Sequence, residues 1–239
     1  MRELTFVEKG KLEWREADDP KLEADGEAIV RPVALATCDL DAGIVSGPAP
    51  VQGPFAFGHE CVAEVTDVGD GVSSVKPGDL VSVPFQVFCG ECDRCLEGRT
   101  ANCSAVPFLS MYGLPMGKAS YGGFASDSVR VPYADPMLVP IPDGIEPAAV
   151  ASLSDNIPDA WRTVAPPLEA APGSPVLITM GAGSIALYAT AIALALGAER
   201  VDVAGGRPAD RELAEKLGAH VVDESYPERI GRYPITVDA

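Results

Sequence analysis

Cys89, Cys92, Cys95 and Cys103 stand in a C-x2-C-x2-C-x7-C run and account for four of the six cysteines in the chain. A cytosolic protein does not use thiols at this density for disulfides. One tight loop that presents three sulfurs, closed by a fourth, suits a tetrahedral ion and leaves no coordination position for a substrate. The cluster is therefore expected to be structural. An iron–sulfur centre also takes four cysteines, but at other usual spacings, and the ligand set favours zinc.

The remaining composition narrows the class further. A chain of 239 residues that is 47% hydrophobic has room for one large domain or two ordinary ones. Its longest apolar run, Ile185 to Leu196, is too short to cross a bilayer, and the charges within Met1 to Trp14 stand where a signal peptide would need an apolar core. A soluble cytoplasmic protein is expected. Eighteen basic and 35 acidic residues give a net charge of −17, which repels phosphate backbones and anionic lipid alike. No nucleic acid and no membrane are expected as partners. The acidic residues are scattered, so the charge serves solubility and identifies no partner.

From Glu27 to about Leu138 short Val-rich runs alternate with Gly, Pro and Asp punctuation: EAIVRPVAL, CVAEVTDVG, DLVSVPF and DSVRVPY. They read as strands at short intervals. GDGVSSVKPGD carries the turn chemistry expected between two strands of an antiparallel barrel. After Pro147 the order becomes strand, turn, helix, strand, helix: PVLITM, GAGS, IALYATAIALALGA, RVDVA, ADRELAEKLGA and HVVD, with Pro234 to Val237 as one further strand candidate. The fold class is α/β with a mostly-β N-terminal domain at 1–160 and a partial, doubly wound parallel sheet at 161–239.

Cys38 and His59 lie apart from the cysteine cluster. Taken singly, each is accounted for by packing, yet a Cys, a His and a nearby carboxylate also complete a three-ligand zinc site with an open fourth position. The segment GHECVAEVTDVGDGVSSVKPGDLVSV followed by CGECDRC resembles the signature region of the zinc-dependent medium-chain alcohol dehydrogenases, whose fold is a GroES-like catalytic domain plus a Rossmann domain. The resemblance runs from about Glu27 to the last residue. It implies catalytic zinc on Cys38 and His59, with Asp155 of SLSDNIPDAWRTV as the third ligand on a helix leading into the cofactor domain. It also implies Glu60 as an exchangeable or outer ligand and Asp41 as the carboxylate that fixes the tautomer of His59. With the four-cysteine site, two zinc ions per chain are expected. Cys61 has no role in the pattern and reads as packing, and Trp161 and Phe85 are candidates for pocket walls or core.

Gly181-Ala182-Gly183-Ser184-Ile185-Ala186 follows the strand PVLITM and opens a helix, the context of a dinucleotide fingerprint. Gly181 permits the turn, Gly183 lets the backbone approach a pyrophosphate, and the helix N-terminus at Ser184 and Ile185 offers amides to it. At the end of the next strand, where an acidic residue normally meets the ribose of NAD, stands Gly205, followed by Gly206 and Arg207. A missing carboxylate and a nearby guanidinium favour NADP over NAD.

The resemblance thus implies a hydride transfer between an alcohol and NADP, or reduction of an aldehyde or ketone in reverse. Two positions depart from the pattern. Leu40 stands where the family commonly has a Ser or Thr that relays the alcohol proton. Asp39 places a carboxylate where some relatives approach the cofactor phosphates. The sequence also stops at PITVDA, inside the dinucleotide fold, and reads either as part of a longer enzyme or as a short form with impaired cofactor binding. The alternatives are an aldehyde or polyol dehydrogenase of the same family, since SLSDNIPDAW is similar to the formaldehyde-dehydrogenase branch, and a zinc-stabilised relative without turnover. Given a full-length fold, a homo-oligomer acting on a small-molecule substrate is expected.

Overall fold

Val-rich segments with short turns between them form antiparallel sheets in the first part of the chain, as their β-branched composition requires. The computed structural model describes residues 1–47, 49–114, 116–117, 119–181, 183–223, 225 and 230–239. Two units are resolved by their internal contacts, Met1–Asp155 and Asn156–Ala239.

The first unit contains β1 (Arg2–Glu8), β2 (Lys11–Glu16), β3 (Ala28–Ala36), α1 (Asp39–Ser46), β4 (Phe55–Ala56), β5 (Glu60–Val68), β6 (Leu80–Val83), α2 (Asp93–Leu96), β7 (Val129–Val131), α3 (Ala134–Met137) and β8 (Val139–Pro140). A five-stranded sheet runs in the order β7-β3-β5-β6-β8 and a three-stranded sheet in the order β2-β1-β4. The alternating side chains of β3, β5, β6 and β7 close a core that includes Val30, Ala63, Val65, Val81, Val83 and Val131 beside Tyr112 and Phe124. In the antiparallel pairing of β3 with β5, Ala36 stands opposite Glu60. That register brings Cys38, just past the end of β3, to His59, just before the start of β5. A 3-10 segment, Pro147–Ser154, follows β8 and packs against β3 and β5.

The second unit contains α4 (Asn156–Ala170), β9 (Val176–Met180), α5 (Gly183–Ala195), β10 (Val201–Gly205), α6 (Pro208–Leu217), β11 (His220–Asp223) and β12 (Ile235–Asp238). Its sheet runs β11-β10-β9-β12, and every pair in it is parallel. In chain order within the unit this is 3-2-1-4, the arrangement with which a doubly wound dinucleotide fold begins. The core is filled by Val176, Ile178, Met180, Val201 and Val203. Ala186, Ala189 and Ala193 form the buried face of α5, where small side chains let the helix lie close to the sheet. Oδ2 of the buried Asp202 in β10 accepts from the Tyr233 hydroxyl at 2.7 Å and pairs with Arg200 at 2.7 Å, while its Oδ1 is buried without a hydrogen bond among the described residues. Among the described residues no helix is long and apolar enough to cross a membrane.

Two features differ from the sequence expectation. The division falls between Asp155 and Asn156, ahead of the boundary at residue 160, because all of α4 belongs with the parallel sheet. Met1 to Trp14, read only for the lack of a signal peptide, forms most of the β1–β2 hairpin. Leu4 and Phe6 alternate toward the interior, and a turn falls at Lys9-Gly10.

Candidate functional site

Cys38 is the N-cap of α1, where its backbone N–H donates to Oδ2 of Asp41 at 2.9 Å. One aspartate thus shapes the first turn of the helix and reaches the histidine. Asp41 Oδ1 lies 3.3 Å from His59 Nδ1, and both side chains are almost wholly enclosed. A proton on Nδ1 faces the carboxylate, which leaves Nε2 as the nitrogen that could hold a metal.

His59 is set by the residue before it. Gly58 has φ +94°, and a Cβ there would stand 2.8 Å from the Ala125 backbone nitrogen. Its carbonyl accepts the Phe124 N–H at 2.8 Å. Only glycine lets the chain turn here, pressed against the Phe124-Ala125 segment, and so deliver the imidazole from the mouth of β5. Phe85 holds the other side, its ring edge-on to the imidazole at 6.1 Å between centroids.

Around Nε2 of His59 three groups converge: Cys38 Sγ at 3.4 Å, Asp155 Oδ2 at 3.5 Å and Glu60 Oε1 at 3.8 Å. One donor atom from each of Cys38, His59, Glu60 and Asp155 lies within 4.8 Å of all the others. Tetrahedral zinc with ordinary bond lengths to sulfur, nitrogen and oxygen places its ligand atoms about 3.4–3.6 Å apart. The donor set and the first two spacings fit that ion. Burial disfavours a charged imidazole, yet Asp155, Asp41 and Cys38 together push the His59 pKa up to about 12. The pocket therefore calls for positive charge at Nε2, which is what a divalent cation supplies. Asp155 reaches this point from the end of the 3-10 segment, at φ −150° and ψ −82°, rather than from a helix. The break in helical geometry at this residue turns its side chain back toward β5.

The four cysteines also converge, all within 4.8 Å of one another and none in a disulfide. The Cys89–Cys103 and Cys92–Cys103 sulfur pairs stand 3.6 and 3.9 Å apart. Four sulfurs about 2.3 Å from one tetrahedral ion lie about 3.8 Å from each other. The Cys92 N–H donates to Cys89 Sγ at 3.4 Å and the Ser104 N–H to Cys92 Sγ at 3.5 Å. Hydrogen bonds from Ser104 hold the Cys92 pKa down at about 5, whereas burial pushes Cys95 up to about 12. Against its burial, hydrogen bonds from Cys89 and Ala105 also lower the Cys103 pKa. A loop with two thiolates favoured beside a desolvated Cys95 suits a cation that stabilises all four sulfurs as thiolates. Cys61 is fully buried in the barrel core, where desolvation pushes its pKa up and leaves it packing only.

In the second unit Gly181 ends the β9 turn and α5 begins at Gly183, with Ser184 and Ile185 in its first turn; Ala182 lies outside the described residues. Gly205 ends β10, Gly206 follows, and Arg207 caps α6. Sequence reasoning missed Asp210. Its Oδ2 accepts from Arg207 Nε at 2.6 Å and its Oδ1 from Arg207 Nη2 at 3.0 Å. The signal was present in Arg-Pro-Ala-Asp, a helix start with a carboxylate at its third position. Trp161, a candidate pocket wall, is a half-exposed residue of α4.

This architecture, a GroES-like barrel followed by a parallel dinucleotide-type sheet, defines the class of protein. Residues 24–143, half of the chain, match the alcohol dehydrogenase GroES-like domain family. The chain is 34% identical over 245 residues to the glutathione-independent formaldehyde dehydrogenase of Pseudomonas aeruginosa, with 94% of this chain and 59% of that protein covered. It is 32% identical to the medium chain reductase/dehydrogenase ucsI of Acremonium sp, with 93% of this chain and 76% of that protein covered. Among solved structures, alcohol dehydrogenase TADH from Thermus sp. ATN1 superimposes with a TM-score of 0.83 at 28% identity, over 92% of this chain and 62% of that one. The chain belongs to the medium-chain alcohol dehydrogenase family. It spans about three-fifths of the length of the formaldehyde dehydrogenase.

Proposed function

We propose that this chain carries the substrate-activating half and the adenosine-binding part of a zinc-dependent oxidoreductase. The enzyme transfers hydride between an alcohol, or the corresponding aldehyde or ketone, and NADP(H). The observation that carries this reading is the convergence of Cys38, His59 and Asp155 at Nε2, separate from a closed four-sulfur site on Cys89, Cys92, Cys95 and Cys103. Four protein sulfurs close one site, while three mixed ligands leave the other an open position.

Zinc bound at the open site would supply Lewis acidity toward an alcohol or carbonyl oxygen, and the nicotinamide would supply or accept hydride. The residues of this chain hold that chemistry in place. Asp41 keeps a proton on Nδ1 of His59 and so keeps Nε2 available. Asp155 and Cys38 face the less enclosed side of the pocket, where a substrate can approach. Glu60, fully buried with Oε1 3.8 Å from Nε2, adds negative charge on the same side of the imidazole that offsets a metal cation. Leu40 lies in the first turn of α1 and contributes no hydroxyl, so the alcohol proton leaves through water rather than through this side chain. In the second unit the first turn of α5 offers its amides to the pyrophosphate. Gly205 removes the carboxylate that would repel a 2′-phosphate, and Arg207 supplies a cation next to it.

The name of the Pseudomonas relative favours an aldehyde as one substrate class. A soluble enzyme acting on a small molecule, assembled as a homo-oligomer in its full-length fold, completes the reading. The test is a titration of the zinc-loaded chain with NADPH and NADH, followed by single-turnover hydride transfer to an aldehyde with a solvent-isotope measurement. Saturable binding that prefers NADPH supports the assignment. Preference for NADH overturns the Gly205 and Arg207 argument, and binding of neither overturns the dehydrogenase reading for this chain.

A further inference from the structure

Neither the motif pattern nor the family resemblance gives Asp210 a role, yet both of its oxygens are engaged by Arg207. We propose that Asp210 sets the discrimination between NADPH and NADH by offsetting the charge of Arg207, so that the chain accepts both cofactors with a muted preference for NADPH. This rests on the dinucleotide-binding reading above.

The pair is held in the right place for that role. Arg207 follows the end of β10, and its Nε and Nη2 donate to the two oxygens of Asp210 at 2.6 and 3.0 Å, a two-pronged ion pair. A Cβ built on Gly183 would lie 2.8 Å from Asp210 Oδ1 and 3.0 Å from Arg207 Nη2. Both charges therefore sit against the first residue of α5, on the glycine turn that the adenosine half of a dinucleotide approaches. Their exposures differ: the Arg207 side chain is 67% exposed and that of Asp210 11%. A solvent-facing guanidinium is thus tied to an enclosed carboxylate that cannot move away from it. Asp210 is fixed further by its position three residues into α6, where Oδ2 also lies 3.4 Å from the Arg207 backbone nitrogen.

A 2′-phosphate brought to Arg207 meets this carboxylate across the width of the guanidinium. The attraction of one charge and the repulsion of the other then largely cancel. NADH, which carries hydroxyls at that point, is not subject to this repulsion. Asp210→Asn keeps an oxygen acceptor for Nε and for the helix cap while removing the negative charge. If Asp210 instead assisted phosphate binding by ordering Arg207, the same substitution would loosen Arg207 and weaken NADPH. The two roles differ in the sign of the effect.

The experiment is calorimetric titration of the 239-residue chain with NADPH and NADH. It is repeated with adenosine 2′,5′-bisphosphate and AMP, which reach only the adenosine end. Asp210→Asn is expected to tighten NADPH and the bisphosphate about three- to tenfold, a Coulombic effect in a partly exposed site. NADH and AMP, whose phosphates meet the α5 turn but which lack the 2′-phosphate, should tighten less, so that the NADPH-to-NADH affinity ratio rises. Adding Arg207→Ala to the variant should remove the gain. If the Asn variant does not fold, Asp210→Ser, which keeps a short helix-capping oxygen, replaces it with the same expectation. An unchanged NADPH-to-NADH affinity ratio overturns the proposal, and weakened NADPH binding overturns it in favour of a positioning role for Asp210. Wild type that binds neither dinucleotide overturns the dehydrogenase reading and this inference with it, an outcome separate from failure of the variant alone.

Discussion

Replacing Gly58 by alanine should destabilise the first unit through two separable effects, which Gly78 allows to be divided. Gly58 and Gly78 have nearly the same φ, +94° and +95°. A Cβ at Gly78 meets nothing within 4 Å, whereas at Gly58 it lies 2.8 Å from the Ala125 nitrogen and 3.2 Å from the Ala125 Cβ. Gly78→Ala therefore adds only the left-handed backbone penalty, about 1–2 kcal/mol. Gly58→Ala adds the same penalty and an overpacking term of about 2 kcal/mol, because the opposing atom is backbone and cannot rotate away. For a unit of this size each kcal/mol lowers the melting temperature by roughly 2–4 °C. Gly58→Ala should thus melt about 4–8 °C below Gly78→Ala in a calorimetric scan of the zinc-loaded protein. Because the shift moves His59, Gly58→Ala should also weaken the Cys38 metal site while Gly78→Ala leaves it intact. Equal melting temperatures for the two variants would show that close packing at Ala125 does not constrain Gly58.

Two further outcomes are expected. Asp41→Asn should weaken zinc at the His59 site by about 10- to 100-fold, measured by competition with a chromophoric chelator, and leave the four-cysteine site unchanged. Asp135 accepts hydrogen bonds from the backbone and side chains of Ser73 and Ser74, which hold its carboxyl well below the usual carboxylate range. A depressed folded pKa contributes stability that is present above the unfolded pKa and lost as pH falls through the folded one. The melting temperature of wild type should therefore exceed that of Asp135→Asn at pH 7, and the gap should narrow steadily below about pH 4.

The strands were legible because β-branched runs and turn residues report a local preference that the fold satisfies. EAIVRPVAL, CVAEVTDVG and DLVSVPF became β3, β5 and β6, and the last strand fell at Ile235–Asp238 within a residue of its expected place. The cysteine cluster was legible for the same reason: its spacing is local, and one loop brings the sulfurs together. Cys38, His59 and Asp155 were different, since each is unremarkable alone and they meet through the β3–β5 register and the bend at Asp155. Only the family resemblance connected them in sequence. The position of Asp155 off a helix, and the pairing of Asp210 with Arg207, depend on side-chain direction and backbone angles that periodicity does not encode. Helix α1 was missed because its eight residues, Asp39–Ser46, are too few to show a helical stripe.

On the proposed reading, one chain carries two independent zinc sites, one closed and one open. The most direct test is metal content after gel filtration, measured on wild type, His59→Ala and Cys103→Ser, with cobalt substitution to read the ligand set of each remaining site. Two zinc ions are expected in wild type and one in each variant. The cobalt spectrum should be thiolate-rich when His59 is removed and mixed in ligand type when Cys103 is removed. A single ion in wild type, or one substitution that empties both sites together, would contradict the two-site reading.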